Sequence, residues 1–222
     1  MYKGIAGSEG IGIGKVVIIE DHDITIETKH VPETDSEIAR LQEAIEKFVE
    51  ITNKMADKMD ETVGKKDADI LRGHIQMLQD PMIEEQISSL IIAEKITAEM
   101  AVDQVLEQTA EMFSQIPDEL LQQRATDFRD IKARMIKLLM GIEDVDISQV
   151  PAGTVLVAKD LTPSMTAGIK PENIEGILTE MGGKTSHSAI LARAMEIPAV
   201  LSIEGICDIV KNGDTVVLDG TS

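Results

Sequence analysis

The feature that most constrains this chain is a glycine-poor block from about residue 33 to 143, set between two zones rich in glycine and β-branched residues. Within the block, Ile38, Leu41, Ile45, Phe48, Thr52, Met55 and Met59 recur alternately three and four positions apart. That spacing draws one apolar stripe along a long helix and predicts the seam of a bundle. Thr34, with Glu37 three residues on, reads as a capping box at its start. Asp80-Pro81 reads as an N-cap followed by proline at the first helical position. Ala98, Val102, Val105, Thr109 and Met112 predict a further helix. Leu121, Phe128, Ile131, Met135 and Leu138 predict another, stopped by Gly141. The expectation is a helical hairpin pair or four-helix bundle.

The flanks follow a different period. "KVVIIE" near the start reads as a buried strand, as do "GTVLVA", "IEGILTE", "PAVLSI" and "DTVVLDG" after the block. Strands alternating with a helical segment imply an α/β layer structure. The expected organisation is one α/β domain from residues 1–32 and 144–222, with a helical domain, 33–143, inserted after its first strand.

Charge narrows the partners. The formal net charge is −19 and aromatics are 2% of residues, which disfavours nucleic acid, anionic membrane and base stacking. From Asp80 to Glu119 there are ten acidic residues and one basic residue, Lys95. This zone reads either as a solvated face or as a docking surface for a basic partner. The single cysteine, Cys207, rules out an intrachain disulfide and reads as a small buried apolar residue. The start lacks the order of a signal peptide and no apolar run reaches transmembrane length, so the expected location is the cytoplasm.

The chemistry concentrates in "ILTEMGGKTSHSAILARAMEIPAVL". Gly183-Lys184-Thr185 resembles the end of a nucleotide-binding P-loop, but the opening glycine would fall at Leu178. Gly7, Gly10, Gly12 and Gly14 also fail a dinucleotide fingerprint and read as a turn leading into the first strand. Locally the segment predicts strand, glycine turn, helix, strand, with Thr185 and Ser186 as N-cap candidates. Ile190, Leu191, Ala194 and Met195 are expected on one helix face. His187 then falls in the first helical turn, near backbone amides without intrahelical acceptors. Such a position suits a phosphate. Thr185, Ser186 and Ser188 offer hydroxyls, and Lys184 and Arg193 offer cations. A neutral imidazole there is a candidate nucleophile, or simply a helix-capping histidine. His74, with Ile70, Leu71, Met77 and Leu78 on one face, reads as a core histidine, and His22 and His30 as solvated. No His/Cys/Asp/Glu spacing reads as a metal site.

The segment closely resembles the phosphohistidine signature of Enzyme I of the bacterial phosphoenolpyruvate:sugar phosphotransferase system. Gly182, Gly183, Thr185, Ser186, His187, Ile190, Ala192, Arg193, Ile197, Pro198 and Ala199 match it. "KDLTPSMTA", "RATDFRDI", "ILRGHIQMLQDP" and the amino-terminal "MYKGIAGSEGIGIGK" resemble further family segments, so the similarity spans essentially the whole chain. The resemblance implies a swivelling α/β phosphohistidine domain carrying an inserted helical, HPr-binding domain. It implies phosphorylation of His187 through Nε2, with Thr166 contacting that histidine. It implies transfer from phosphoenolpyruvate to a histidine of the carrier protein HPr. Asp80, Glu84, Glu85, Arg129 and Asp130 are the docking candidates. Where many members carry a lysine that reaches the active histidine, this chain has Lys65-Lys66-Asp67.

Family members continue into a carboxy-terminal barrel that binds phosphoenolpyruvate and Mg2+ and forms a homodimer. The chain has no room for a barrel of about 200 residues or more beside these zones. It therefore reads as a fragment, expected to be a monomer without a cofactor of its own. Such a fragment is expected to exchange phosphate with HPr and to need the missing domain for charging by phosphoenolpyruvate. The alternatives are a detached phosphohistidine domain of a pyruvate,phosphate dikinase or phosphoenolpyruvate synthase, and a non-catalytic docking module.

Overall fold

A computed structural model describes residues 2–19, 24–27, 29–142 and 147–221. The expected boundary at 143/144 and the solvated His22 lie outside the described residues. The chain divides into two compact units, Met1–Asp23 with Lys58–Asp67 and Val145–Ser222, and Ile24–Asp57 with Ala68–Asp144. Two segments thus differ from the expected division. Ile24 and Ile26 pack on the helical core, and the Val31 amide donates to the Lys95 carbonyl at 2.8 Å, so this segment goes with the helices. Val63 packs on a core of the α/β unit, which takes the tip of the first helical hairpin with it.

The α/β unit holds one six-stranded sheet. Its strands are β1 (Ile5–Ser8), β2 (Ile11–Ile19), β3 (Thr154–Ala158), β4 (Ile174–Thr179), β5 (Ala199–Leu201) and β6 (Thr215–Asp219), in the order β1-β5-β4-β3-β2-β6. The inner strands β2, β3, β4 and β5 pair in parallel, and β1 and β6 close the edges antiparallel. Every residue of β3 is buried, the pattern of a parallel strand covered on both faces. Val155 and Val157 enter one core with Val16, Leu178, Ile206 and Leu218. Leu156 and Ala158 enter the other with Ile177, Leu191 and Ala192. The short helix α6 (Pro163–Thr166) follows β3, α7 (His187–Ala194) contributes to the second core, and α8 (Ile206–Ile209) to the first.

The amino-terminal glycines do not form the expected turn. Only Gly10, with φ +127°, turns the chain; Gly7 lies in β1, and Gly12 and Gly14 lie inside β2. A side chain on Gly12 would run into the Glu175 carbonyl, and one on Gly14 into the Gly153 carbonyl. These glycines serve close approach of strands rather than flexibility. The β2–β6 ladder runs on past Asp219, where the Gly220 amide donates to the Gly10 carbonyl at 2.9 Å, and a Cβ on Gly220 would collide with the Ser8 carbonyl of β1.

Among the described residues the helical unit is built from five helices, one more than a four-helix bundle: α1 (Asp35–Thr62), α2 (Lys65–Leu78), α3 (Pro81–Glu94), α4 (Ala98–Ser114) and α5 (Glu119–Met140). Gly64, at φ +131°, divides the first two. Asp80, Thr97 and Asp118 cap the last three, each accepting a hydrogen bond from an amide of the first turn. Gly141, at φ +67°, ends α5. Leu41, Phe48, Leu78, Ile87, Val102, Leu106, Ile131 and Met135 fill the core. Met112, expected in the α4 stripe, is exposed. The capping box resolves differently too. The Glu37 carboxylate accepts from the Ala98 amide at 2.9 Å and from Arg40 at 2.6 Å, so it secures the start of α4. No helix among the described residues is long and apolar enough to cross a membrane.

Candidate functional site

The site begins where β4 ends. Met181-Gly182-Gly183 breaks the strand, and Gly182 takes φ +100°, a conformation open to glycine at no steric cost. Its carbonyl accepts from the Ser202 hydroxyl at 2.5 Å, and the Gly183 carbonyl accepts from the Ser186 amide at 3.0 Å. Ser186 is the N-cap of α7: its hydroxyl oxygen accepts from the Ala189 amide at 3.3 Å. His187 is the first helical residue, half-buried, at the end where the helix dipole is positive.

Thr166 meets it from the other side. This buried threonine closes α6, a single turn capped by Thr162. Its Oγ1 lies 2.9 Å from the Pro163 carbonyl and 3.2 Å from His187 Nε2. A hydroxyl has one proton to give. When it goes to Pro163, His187 Nε2–H donates to Oγ1 and the ring lone pair sits on Nδ1. When it goes to Nε2, the lone pair there is occupied. In either state Thr166 orients the ring before reaction, and the bond gives way as Nε2 attacks.

The remaining phosphate candidates are placed unevenly. Lys184 and Thr185 are exposed beside the glycine turn. Ser188 is fully buried, and its hydroxyl donates to Asp160 Oδ1 at 2.9 Å rather than facing outward. Arg193 donates to the Gly7 carbonyl at 2.8 Å and the Lys184 carbonyl at 3.0 Å, tying β1 and the glycine turn to α7. Ser188 therefore departs from the expectation, its hydroxyl proton going to the half-exposed Asp160 carboxylate, whereas Arg193, itself exposed, keeps further N–H groups beyond the two carbonyl bonds. The buried face of α7 also differs: Ser188, Ala189, Leu191 and Ala192 point inward, while Ile190 and Ala194 are exposed. Asp160 is a site residue that the residue-type reading overlooked. It lies in "KDLTPSMTA", and nothing in that string reveals its link to α7.

In the helical unit the docking candidates separate. Asp80 is exposed at the α3 cap, Glu85 is exposed and Glu84 half-buried one turn on. Arg129 is held by Glu107 at 3.0 Å. Asp130 is 4% exposed and faces inward, its Oδ2 3.4 Å from His74 Nδ1, so it is not a surface contact. His74 is fully buried, with Asp127 Oδ1 3.3 Å from Nε2. His30 is exposed, with Nδ1 3.2 Å from the Glu94 carbonyl.

The acidic zone is partly neutralised from outside its own stretch. Lys132 pairs with Glu107 at 2.8 Å and Asp103 at 3.1 Å, and Arg40 pairs with Glu99. Burial opposes both charges of the Lys132–Glu107 pair. Even so, Lys132 and Arg129 hold the Glu107 carboxyl below its ordinary range, and Glu107 and Asp103 hold Lys132 above its own. In the α/β unit, burial and Glu180 push the Cys207 thiol up to about 11.

The comparisons with known proteins agree with this geometry. Residues 3–124 match the family described as PEP-utilising enzyme, N-terminal, and residues 150–222 match PEP-utilising enzyme, mobile domain. The chain is 37% identical to the phosphoenolpyruvate-protein phosphotransferase of Mycoplasma capricolum subsp. capricolum over 220 residues, covering 99% of this chain and 38% of that protein. It is 36% identical to those of Haemophilus influenzae and Bacillus subtilis, over 99% and 98% of this chain and again 38% of each. The chain thus spans well under half the length of these relatives. A solution NMR structure of Enzyme I (nEIt) superposes with TM-score 0.85 at 39% identity, covering 99% of this chain and 90% of that one. The N-terminal domain of a nitrogen Enzyme 1, 22% identical with TM-score 0.66, shares the fold. With both segments of the chain matched and its whole length superposed, the chain belongs to the PEP-utilising enzymes and corresponds to the amino-terminal domain of Enzyme I, phosphoenolpyruvate-protein phosphotransferase.

Proposed function

We propose that His187 carries a phosphoryl group between phosphoenolpyruvate and HPr. The observation that supports this most directly is the His187 ring at the head of α7, its Nε2 3.2 Å from Thr166. Nε2 attacks the phosphorus of phosphoenolpyruvate, the bond to the enol oxygen breaks, and the enolate leaves and is protonated to pyruvate. A new N–P bond holds the group, with the ring proton on Nδ1. A histidine of HPr then attacks the same phosphorus, and the His187 N–P bond breaks. Phosphoryl transfer of this kind rests on positioning and charge stabilisation. The helix dipole, the α7 amides and exposed Lys184 and Thr185 supply that here.

HPr docks on the helical unit, where Asp80, Glu84 and Glu85 present negative charge to a basic partner. The phosphoenolpyruvate site belongs to a carboxy-terminal domain of the full-length enzyme, together with Mg2+, which neutralises phosphate charge when bound. Among the described residues no cluster of three or more His, Cys, Asp or Glu side chains could hold a metal. The same reading makes the protein cytoplasmic, this piece a monomer and the full-length enzyme a homodimer.

Incubation with 32P-labelled phospho-HPr tests the reading. Wild-type chain takes up acid-labile label and His187→Ala takes up none. Label persisting on His187→Ala, or none on wild type, overturns it. Addition of HPr shifts NMR signals within residues 34–141; absence of binding would point to the dikinase or synthase type of phosphohistidine domain.

A further inference from the structure

We propose that Asp160 is a positioning residue for phosphoryl transfer, acting on His187 through Ser188. The proposal rests on the reading of His187 as the phosphoryl carrier.

The contact between Thr166 and His187 joins two short helices that neither can hold alone. α6 is a single turn of four residues, far below the length at which a helix sustains itself. α7 has eight residues, and His187 is its first, at the end that frays most readily. Something must fix the α7 end against the loop that carries Thr166. Asp160 lies where β3 runs out into that loop. Its Oδ1 accepts from the Leu161 amide of the loop at 2.8 Å and from the Ser188 hydroxyl at 2.9 Å. One carboxylate oxygen therefore clamps the loop backbone to the residue next to His187.

The clamp is well placed to be rigid. Ser188 is 0% exposed and Leu161 is 2% exposed, so water does not compete for the bond at the serine end. The Ser188 hydroxyl lies 3.4 Å from the Leu161 carbonyl, a longer and neutral alternative to the carboxylate. A bond to an ionised acceptor is the stronger of the two. Within the loop, Thr162 Oγ1 accepts from the Met165 amide at 3.4 Å and lies 3.0 Å from Ser164 Oγ, carrying the constraint from the clamp to α6. The path from carboxylate to imidazole thus runs through buried Ser188 on one side and through buried Leu161, half-buried Thr162 and buried Thr166 on the other. Loss of the clamp frees the α7 end from α6, and misplacement of a reacting group by about 1 Å costs roughly a hundredfold in rate.

The test compares Asp160→Ala, Asp160→Asn, Ser188→Ala and the Asp160→Ala/Ser188→Ala double variant in the present chain. Two readouts are taken: the rate of label uptake from 32P-phospho-HPr, and the imidazole 15N–1H spectrum of histidine-labelled protein. The His187 signals are assigned by their loss in His187→Ala. Asp160→Ala and Ser188→Ala each slow uptake by roughly 30- to 100-fold, with the affinity for HPr unchanged. The double variant is no slower than either single one. Asp160→Asn, which keeps an acceptor oxygen, stays within a few-fold of wild type. In the spectrum, Asp160→Ala moves the His187 ring signals in the same direction as Thr166→Val, and Asp160→Asn restores them.

Uptake by Asp160→Ala within about twofold of wild type overturns the proposal, as do additive effects of the two single variants. So does a His187 ring spectrum that responds to Thr166→Val and ignores Asp160→Ala. The ring spectrum does not depend on phosphorylation. If wild type takes up no label, the phosphoryl-carrier reading falls while the spectrum still decides whether Asp160 positions His187. If Asp160→Ala fails to fold, Asp160→Asn and Ser188→Ala carry both readouts.

Discussion

Gly12→Ala is a demanding test of the sheet geometry, because its backbone conformation is ordinary and only space forbids a side chain. A Cβ built on Gly12 lies 3.0 Å from the Glu175 carbonyl carbon and closer still to its oxygen, where real Cβ atoms keep at least 3.0 Å. Carbon–oxygen contacts normally settle at about 3.3–3.6 Å. One strand must therefore yield by on the order of 1 Å. The obstacle is backbone, so no rotamer change relieves it, and Leu218 Cδ2 at 3.3 Å closes the other side. Overpacking of this kind costs about 1–3 kcal/mol, and an obstacle made of backbone puts Gly12 at the upper end. For a chain of this size about 3 kcal/mol lowers the melting temperature by roughly 6–12 °C. Gly183 is the control: a Cβ there meets nothing within 4 Å and its φ is not positive, so Gly183→Ala changes stability by less than about 0.5 kcal/mol. Calorimetry of the whole chain reads the loss. A Gly12→Ala melting temperature within 2 °C of the Gly183→Ala value, a difference of roughly 1 kcal/mol or less, would refute the close-approach argument.

Three further perturbations follow from the electrostatics and burial. Lys132→Met breaks the pair with Glu107, costing about 1 kcal/mol in a partly exposed setting. Because Glu107 is shifted down and Lys132 up, the stabilisation is present above the ordinary carboxyl value near ~4.3 and below the ordinary lysine value near ~10.4, and fades as pH falls or rises through the shifted values; a wild-type-minus-variant gap in urea that is flat with pH contradicts this. Asp130→Ala removes a buried carboxylate beside His74 and costs about 3 kcal/mol, against less than about 1 kcal/mol for exposed Arg129→Ala; equal melting temperatures for the two variants would return Asp130 to the surface. Cys207, with its thiol pushed up to about 11, alkylates with iodoacetamide at pH 8 roughly 200-fold more slowly in the folded protein than in denaturant, and a ratio below about tenfold is inconsistent with that environment.

Much of the architecture was legible because it is written in periodicity. The β-branched runs became β2 to β6, and the three-four spacing of Ile38 to Met59 became α1. What escaped has local reasons. β1 is Ile-Ala-Gly-Ser, too short and too small to announce a strand, and it is defined by antiparallel pairing with β5 nearly two hundred residues away. The glycines of β2 looked like flexibility because sequence shows a missing side chain but not the carbonyl that excludes one. At the site, His187 and Thr166 came together as the resemblance implied. Ser188 turned its hydroxyl inward to Asp160, since a hydroxyl finds whichever oxygen the fold places nearest. The acidic zone looked uncompensated because Arg40, Arg129 and Lys132, its counter-charges, lie outside the counted stretch.

The parallel pair of β2 and β3 has a consequence for how this chain acquires its fold. Ile19 pairs with Ala158 and Lys15 with Thr154, so the whole helical insertion is the loop between two neighbouring strands. Closing such a loop from a disordered chain costs on the order of 4 kcal/mol in chain entropy before any strand pairing rewards it. The helices are joined by short connections, and α4 packs on its chain neighbours α3 and α5, so this part of the unit forms on the faster timescale. Once they have done so, most of the chain separating β2 from β3 is already ordered and the remaining closure is cheaper. The insertion therefore acts as an assembly aid for the sheet, and destabilising α4 or α5 slows the appearance of β2–β3 pairing without touching either strand.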